Sequence, residues 1–368
     1  MSETPQAVAP PPISQERTPL AAHLGQDKTT LYRGALTIQT FTHPETELAA
    51  LTSHSGVFDL GYRAFVKVTG SDRIRWMNGM VTNTIQGLAE NQGNYSFLLN
   101  AQGRILGDAT IDCLPGHLRL QTDRAQLASI LAHLDHFIIM DDVELQPLDA
   151  SFTAIGVAGP KAAEILRSLD LEAPPATTLT TTKWQESEIN LAARPSHFEL
   201  LLPAAKAPAL WSAIINAGAT PCGTEAIEAL RILNAEPLFG VDIRDRHLPQ
   251  ETAQTQALNF NKGCYLGQEI VERIRSRATV HRTFRQFALS GTIPALEPGQ
   301  TLPIEAQGAQ QNPVGEISSL AHYHLPEFTG TLALGFIRTE ALERKLPINC
   351  AGATATALER PPFKASQE

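Results

Sequence analysis

The chain has 368 residues, 43% hydrophobic and 18% charged, which fits a folded globular protein of about two or three domains and excludes a fibrous or wholly disordered one. The formal net charge is −9 and the pI about 5.7, which argues against whole-protein attraction to nucleic acid or to a membrane surface. Cys113, Cys222, Cys264 and Cys350 are dispersed with no CxxC pair, so no zinc or iron–sulfur ligand set is written locally, no metal site is expected, and a disulfide framework is disfavoured. A reducing, cytoplasmic setting follows as the expectation.

Residues 1–30 carry Pro5, Pro10, Pro11, Pro12 and Pro19 with little apolar content, and read as a disordered tail lacking the apolar run of a secretory signal. No stretch of about 18 apolar residues follows, so no membrane-spanning helix is expected. Residues 64–69 alternate as a half-buried strand does, and Gly70-Ser71-Asp72 supplies a turn and cap for a helix over 73–80. Strands 95–99 and 104–113 flank Asn100-Ala101-Gln102-Gly103 as a hairpin. A strand over 117–121 precedes an amphipathic helix over 123–139, with Leu127, Ile130, Leu131, Leu134 and Ile138 on one face.

The rhythm then partly recurs. A strand over 152–157 leads to a helix opened by Gly159-Pro160; strands 188–193 and 198–202 follow, then a helix over 205–216 ended by Gly218 and one capped by Thr224. Beyond residue 284, four short β-prone runs (284–289, 314–319, 332–337, 353–358) separated by Gly- and Pro-rich connections predict a small barrel or sandwich. The fold class is therefore α+β and multi-domain, with mostly antiparallel sheets, helices and a C-terminal β-barrel. The divisions are a tail over 1–30, α+β regions over 31–150 and 151–283, the barrel over 284–360 and a tail over 361–368.

Three places carry candidate chemistry. Cys264 follows Asn261-Lys262-Gly263, a tight turn, and precedes an expected helix over 266–274. At or just before a helix N-terminus, orphan N–H groups and the dipole stabilise a thiolate, and Lys262 adds positive charge. The same spacing suits a buried structural thiol, and no His–Asp pair for a papain-like nucleophile can be placed. Arg273, Arg275, Arg277, Arg282 and Arg285, joined by His281, fall within thirteen residues. Guanidinium forks suit carboxylates and phosphates, so this cluster reads as a seat for an anionic ligand tail, a surface for RNA, or a solvated face paired with Glu269 and Glu272. Asp108, on the second hairpin strand, points into a pocket or into solvent. Trp76, Trp184 and Trp211 read as core.

The segment 261–273, NKGCYLGQEIVER, resembles the K-G-C-[YF]-x-G-Q-E signature of the YgfZ family. Gly56-Val57-Phe58-Asp59-Leu60, Val68-Thr69-Gly70, Asn78-Gly79-Met80-Val81-Thr82-Asn83, the hairpin 100–108, Phe239-Gly240-Val241-Asp242-Ile243 and Leu248-Pro249-Gln250-Glu251 agree, so the resemblance covers about residues 31–360. It implies an aminomethyltransferase-like fold, that of the glycine-cleavage T-protein: a three-domain ring around a folate channel, ending in a β-barrel. It implies tetrahydrofolate, or a folate derivative, as cofactor. The implied role is an accessory protein for assembly or repair of iron–sulfur clusters in client enzymes, including those that thiolate tRNA. A tetrahydrofolate-dependent aminomethyltransferase is the alternative.

By the same resemblance Cys264 faces the folate channel as the key functional residue, and Asp108 is the catalytic carboxylate, so the two are expected to line one common cavity. Asn83, Asp108, Arg231, Glu251, Lys262, Tyr265, Gln268, Glu269 and Arg273 are expected to bind the cofactor or build its setting. The implied partners are folate and iron–sulfur clients or assembly proteins, with no membrane and no direct nucleic-acid contact. Two departures count against aminomethyl transfer. T-proteins carry Asp-Asp where this chain has Gly107-Asp108, and Arg-x-Glu-Ala-Gly where it has Arg231-Ile232-Leu233-Asn234-Ala235-Glu236. Leu233 thus stands at the pterin-contacting Glu position, with Glu236 the candidate replacement.

Overall fold

Alternation of apolar and polar residues along the hairpin strands Gln92–Leu99 and Ile105–Leu114 builds the first of two sheets. The computed structural model describes residues 16–362 except 26, 278–279, 298, 307–312 and 327. The first sheet is antiparallel, in the order Gln92–Leu99, Ile105–Leu114, His117–Asp123, Arg63–Thr69, Glu144–Pro147. Ile111, Leu118 and Leu120 pack beneath helices Arg73–Met80 and Arg124–His136 through Trp76, Met77, Ile130 and Leu134. Each fully buried side chain of this size contributes about 1.5–3 kcal/mol. Gly107 is closely packed here, since a Cβ there would meet Gln126 Oε1 and Ile130 Cδ1 at 3.0 Å and those side chains would have to give slightly.

The second sheet runs Leu179–Trp184, Ser187–Ala193, Phe198–Pro203, Phe152–Ala158, Gly56–Asp59, Thr220–Cys222, with only the last pair parallel. Phe198–Leu202 is buried on both faces. Helices Ala162–Arg167 and Ala207–Asn216 cover one face through Leu166, Leu210 and Ile214, and the first sheet faces the other. Gly56–Asp59 comes from the early part of the chain, so a cut near residue 150 does not separate the sheets: Val57 pairs with Val157.

The C-terminal barrel is closed, in the order Arg282–Ser290, Thr329–Arg338, Gly315–His324, Leu302–Ala306, Ile348–Cys350, Ala353–Leu358. Helix Thr224–Leu233 lies where the three units meet, its Leu230 and Leu233 packed with Phe58, Phe65, Phe284 and Phe336. Thr224, expected to cap this helix, is its first helical residue. The Glu47 carboxylate does the work instead, accepting from the Gly223 N–H at 2.7 Å.

The disordered-tail expectation fails for residues 16–30. Thr18 caps helix Pro19–Leu24, Leu20 and Ala21 are fully buried, and Thr29–Tyr32 forms a hairpin with Ala35–Ile38. Proline at the first turn of a helix starts it rather than breaking it. Residues 1–15 and 363–368 of the expected tails lie outside the described residues.

Candidate functional site

Helix Thr224–Leu233, the 194–197 turn of the second sheet and the N-terminal hairpin line a small, partly open cavity. Phe58, Leu60, Ile227 and Leu230 supply its apolar wall; Arg33, Tyr62, Ser196, His197, Arg231 and Glu236 supply polar groups. Burial pushes the Glu236 carboxyl upward, against Ser196 and the Arg231 charge. Burial also pulls His197 down to about 4, so its ring is neutral and stacks edge-on against Phe58 at 5.6 Å. The wall is apolar and the polar groups converge on it, which is the chemistry of a ligand site.

Arg231 lines this cavity, yet its guanidinium is already consumed. It donates to Asp242 Oδ2 at 2.6 Å, Glu228 Oε2 at 2.8 Å, Ser319 Oγ at 3.0 Å and the Glu236 carbonyl at 2.8 Å. A β-bulge between Ile317 and Ser319 turns both Ser318 and Ser319 onto Asp242 Oδ1. Arg231 thus ties helix to barrel rather than waiting for a ligand. Leu233, at the pterin-contacting Glu position, is wholly buried.

Asp108 is half-buried on the strand Ile105–Leu114, opposite Phe97. The Tyr95 hydroxyl donates to its Oδ2 at 2.7 Å, and Gln126 Nε2 donates to Oδ1 at 2.9 Å. Burial, then the Asp123 charge, raise its carboxyl above the ordinary value. Four residues along, Asp112 is completely buried and accepts from Arg119 and Arg194 at 2.8 Å each. Burial works against ionisation there, but the two arginines win and hold Asp112 far below the usual carboxylate range. Arg194 also meets Glu199 at 3.0 Å, so this network joins the sheets.

The Cys264 loop is pinned at the hairpin tip. Helix Gln268–Arg277 begins four residues after Cys264, so the thiol is not at the helix N-terminus as expected. Gly267 has φ +81°, and a Cβ there would approach the Asn100 carbonyl to 2.6 Å; only glycine lets the loop sit this close. Tyr265 buries its ring with Phe97, Leu99 and Val271. Cys264 is exposed, whereas Cys113, Cys222 and Cys350 are buried. Among the described residues no three His, Cys, Asp or Glu side chains converge as a metal set would. The cavity lining includes neither Cys264 nor Asp108.

Lys262 points away from chemistry and into backbone. Its Nζ donates to the carbonyls of Asn78 at 2.6 Å, Val81 at 2.7 Å and Asn83 at 2.6 Å, at the end of helix Arg73–Met80. Burial pulls its ammonium down to about 7, while three carbonyls favour the charged form.

Asn83, Glu251 and Gln268, also expected at the cofactor, are committed in the same way. Asn83 Nδ2 donates to the Tyr95 and Gln256 carbonyls. Glu251 accepts from Leu248 N–H at 2.9 Å and from Arg282 Nε at 2.8 Å. Gln268 Oε1 accepts from Tyr265 N–H at 3.3 Å. Glu269 and Arg273 are exposed, and neither makes an ion pair among the described residues. Arg275 lies over Phe260 at 4.4 Å and pairs with Glu272 at 3.5 Å, so part of the arginine cluster is the solvated face. The side chain of Arg277 lies outside the described residues.

Sequence reading missed Arg33, Tyr62 and His197 in the cavity, and Asp112, Arg119, Arg194 and Glu199 between the sheets. The signal for Glu199 was a lone charge inside an otherwise apolar strand, which buries only with a partner; Asp112 and Arg119 sit in strands with other charged residues and carried no such mark.

Comparisons with known proteins agree with this architecture. The GCVT N-terminal domain model matches residues 25–262. A chloroplastic protein of Arabidopsis thaliana that carries a provisional transferase name is 24% identical over 83% of this chain and 70% of its own length. An aminomethyltransferase of Exiguobacterium sibiricum is 25% identical over 76% of this chain and 81% of its own. The crystal structure of the glycine cleavage system aminomethyltransferase T from Bartonella henselae superposes with a TM-score of 0.83 at 19% identity, covering 96% of this chain and 99% of that one. That likeness carries the fold: mixed α/β with antiparallel sheets and a closed six-stranded barrel. With more than half of its length matched, the chain belongs to the GCVT N-terminal domain family.

Proposed function

We propose that this protein binds tetrahydrofolate or a related folate in the cavity beside Arg33 and Glu236. In this reading it acts in the cytoplasm as a YgfZ-like accessory protein for assembly or repair of iron–sulfur clusters, tRNA-thiolating enzymes among its clients. The observation that supports the accessory role is the exposed thiol of Cys264 on a loop held by Lys262, Tyr265 and Gly267. The resemblance turns Cys264 toward the folate channel; the cavity lining does not include it, so the accessory role rests on the exposed thiol being open to a partner protein.

The lining chemistry suits the polar edge of a pterin. Phe58 offers a flat aromatic wall and Leu230 an aliphatic one, and the Glu236 carboxylate accepts from ring N–H and amino donors. Bound folate would supply one-carbon chemistry; the chain's own residues would orient it and exclude water.

A second reading, tetrahydrofolate-dependent aminomethyl transfer, draws support from Asp108. A carboxyl raised by burial and held by Tyr95 is suited to proton transfer. The names of the bacterial relatives favour it too.

The test is complementation of a strain lacking this protein, with cluster-dependent enzyme activity as the readout. Wild type restores activity and Cys264→Ala does not. Equal rescue by both overturns the Cys-centred reading. Formation of methylenetetrahydrofolate in a glycine-cleavage assay, lost in Asp108→Asn, establishes the second reading instead.

A further inference from the structure

The hairpin Thr29–Tyr32 and Ala35–Ile38 closes through a two-residue turn, Arg33-Gly34, with φ +50° and +94°. Such turns favour Asn or Gly at the first position, so a long side chain held there is a strained choice. The strain is over-determined by the surroundings. The Arg33 carbonyl accepts from Ala125 N–H at 3.0 Å, and a Cβ on Gly34 would come within 2.4 Å of that same nitrogen. The hairpin tip is therefore seated on the first turn of helix Arg124–His136, and its seating drives the Arg33 side chain into the cavity.

Arg33 arrives there with spare hydrogen-bonding capacity. Its guanidinium lies 4.9 Å from the Tyr32 ring and 5.3 Å from the Tyr62 ring. Its Nη2 makes one long hydrogen bond to Glu228 Oε1 at 3.5 Å, and Asp123 Oδ2 lies 3.7 Å from Nη1. Both have closer partners: Arg231 and Tyr32 serve Glu228, and Arg63 serves Asp123. The Arg33 Nε is buried with no hydrogen-bond partner. A buried, unmatched donor of a charged group is costly to the empty fold and valuable to a ligand that offers an acceptor.

We infer that Arg33 is a specificity-determining residue that donates to the ring carbonyl of a 2-amino-4-oxopteridine. This rests on the folate reading above. The donor–acceptor order of that ring edge is amino, N–H, carbonyl. Glu236 can accept from the first two, and Arg33 donates to the third. A 4-amino ring places a donor against the guanidinium, so the site rejects it.

The experiment is calorimetric titration of the full chain with folic acid and with its 4-amino counterpart, which differ at the 4-substituent and at the N3 proton that accompanies the 4-oxo form. Wild type binds the 4-oxo ligand at least tenfold more tightly. Arg33→Gln, whose amide can donate or accept, narrows that ratio about threefold or more, chiefly by weakening the 4-oxo ligand; the remaining preference is that of Glu236 for N3–H. Arg33→Met narrows it likewise and carries the test if Arg33→Gln fails to fold. Equal weakening of both ligands, or an unchanged ratio, overturns the proposal and leaves Arg33 a brace for the hairpin. A wild type that binds neither ligand overturns the folate reading itself, and this proposal with it.

Discussion

The Lys262 ammonium donates to the Val81 carbonyl at 2.7 Å, at the point where helix Arg73–Met80 ends. Together with the bonds to Asn78 and Asn83, this makes the lysine two residues before Cys264 a clamp on the thiol loop. Lys262→Met leaves three carbonyls without their charged donor and should cost about 2–4 kcal/mol in urea unfolding. Alkylation of Cys264 should become faster as the loop loosens. Unchanged stability and labelling would show that the loop is held by Tyr265 and Gly267 alone.

The Asp112 network predicts a larger effect. Arg194→Met removes one of two arginines from a fully buried carboxylate and also strips Glu199 of its partner. Breaking one side of a buried pair typically costs ~3–5 kcal/mol. Asp112→Asn combined with Arg194→Met should cost less than the sum of the two single changes, because the groups share partners. Additive costs in a double-mutant cycle would mean that the two residues act independently.

His197 predicts a pH dependence. Burial lowers its pKa to about 4 from an ordinary 6.5. Between those values the unfolded chain binds a proton that the folded chain refuses, so stability rises with pH across this window. The contribution is at most about 3 kcal/mol. His197→Phe removes the proton site and keeps an aromatic ring against Phe58. Its denaturation midpoint should climb less steeply from pH 4 to 6.5 than that of wild type; parallel profiles would assign the slope to other groups.

Legibility differed between elements for physical reasons. The hairpin around Asn100–Gly103 and the helices Arg73–Met80 and Arg124–His136 were readable because burial follows the local period of each element. Leu302–Ala306 and Ile348–Cys350 were not, since short strands that gain their stability by closing a barrel carry little pattern of their own. Adjacency in sequence also misled. Lys262 is two residues from Cys264, but its side chain extends to a helix end far back in the chain, and only the fold reveals that direction. Arg33-Gly34 closes the hairpin Thr29–Tyr32 and Ala35–Ile38, but its seating on helix Arg124–His136 leaves no mark in the local sequence.

Asp108 supplies the last prediction, and its sign is opposite to that of most carboxylates. Burial, then the Asp123 charge, raise its pKa above the unfolded value, against the hydrogen bonds from Tyr95 and Gln126. In the window from the unfolded pKa up to the raised one, the folded chain binds more protons than the unfolded chain, so stability falls as pH rises through it. At neutral pH the ionised group is therefore a net burden on the fold. Asp108→Asn keeps an acceptor for Gln126 and removes the charge facing Asp123. The variant should melt higher than wild type at pH 7, with the gap closing as pH falls toward 4. A variant that melts lower at pH 7 would mean that the Tyr95 and Gln126 bonds outweigh desolvation, and that Asp108 is held as a carboxylate in the resting protein.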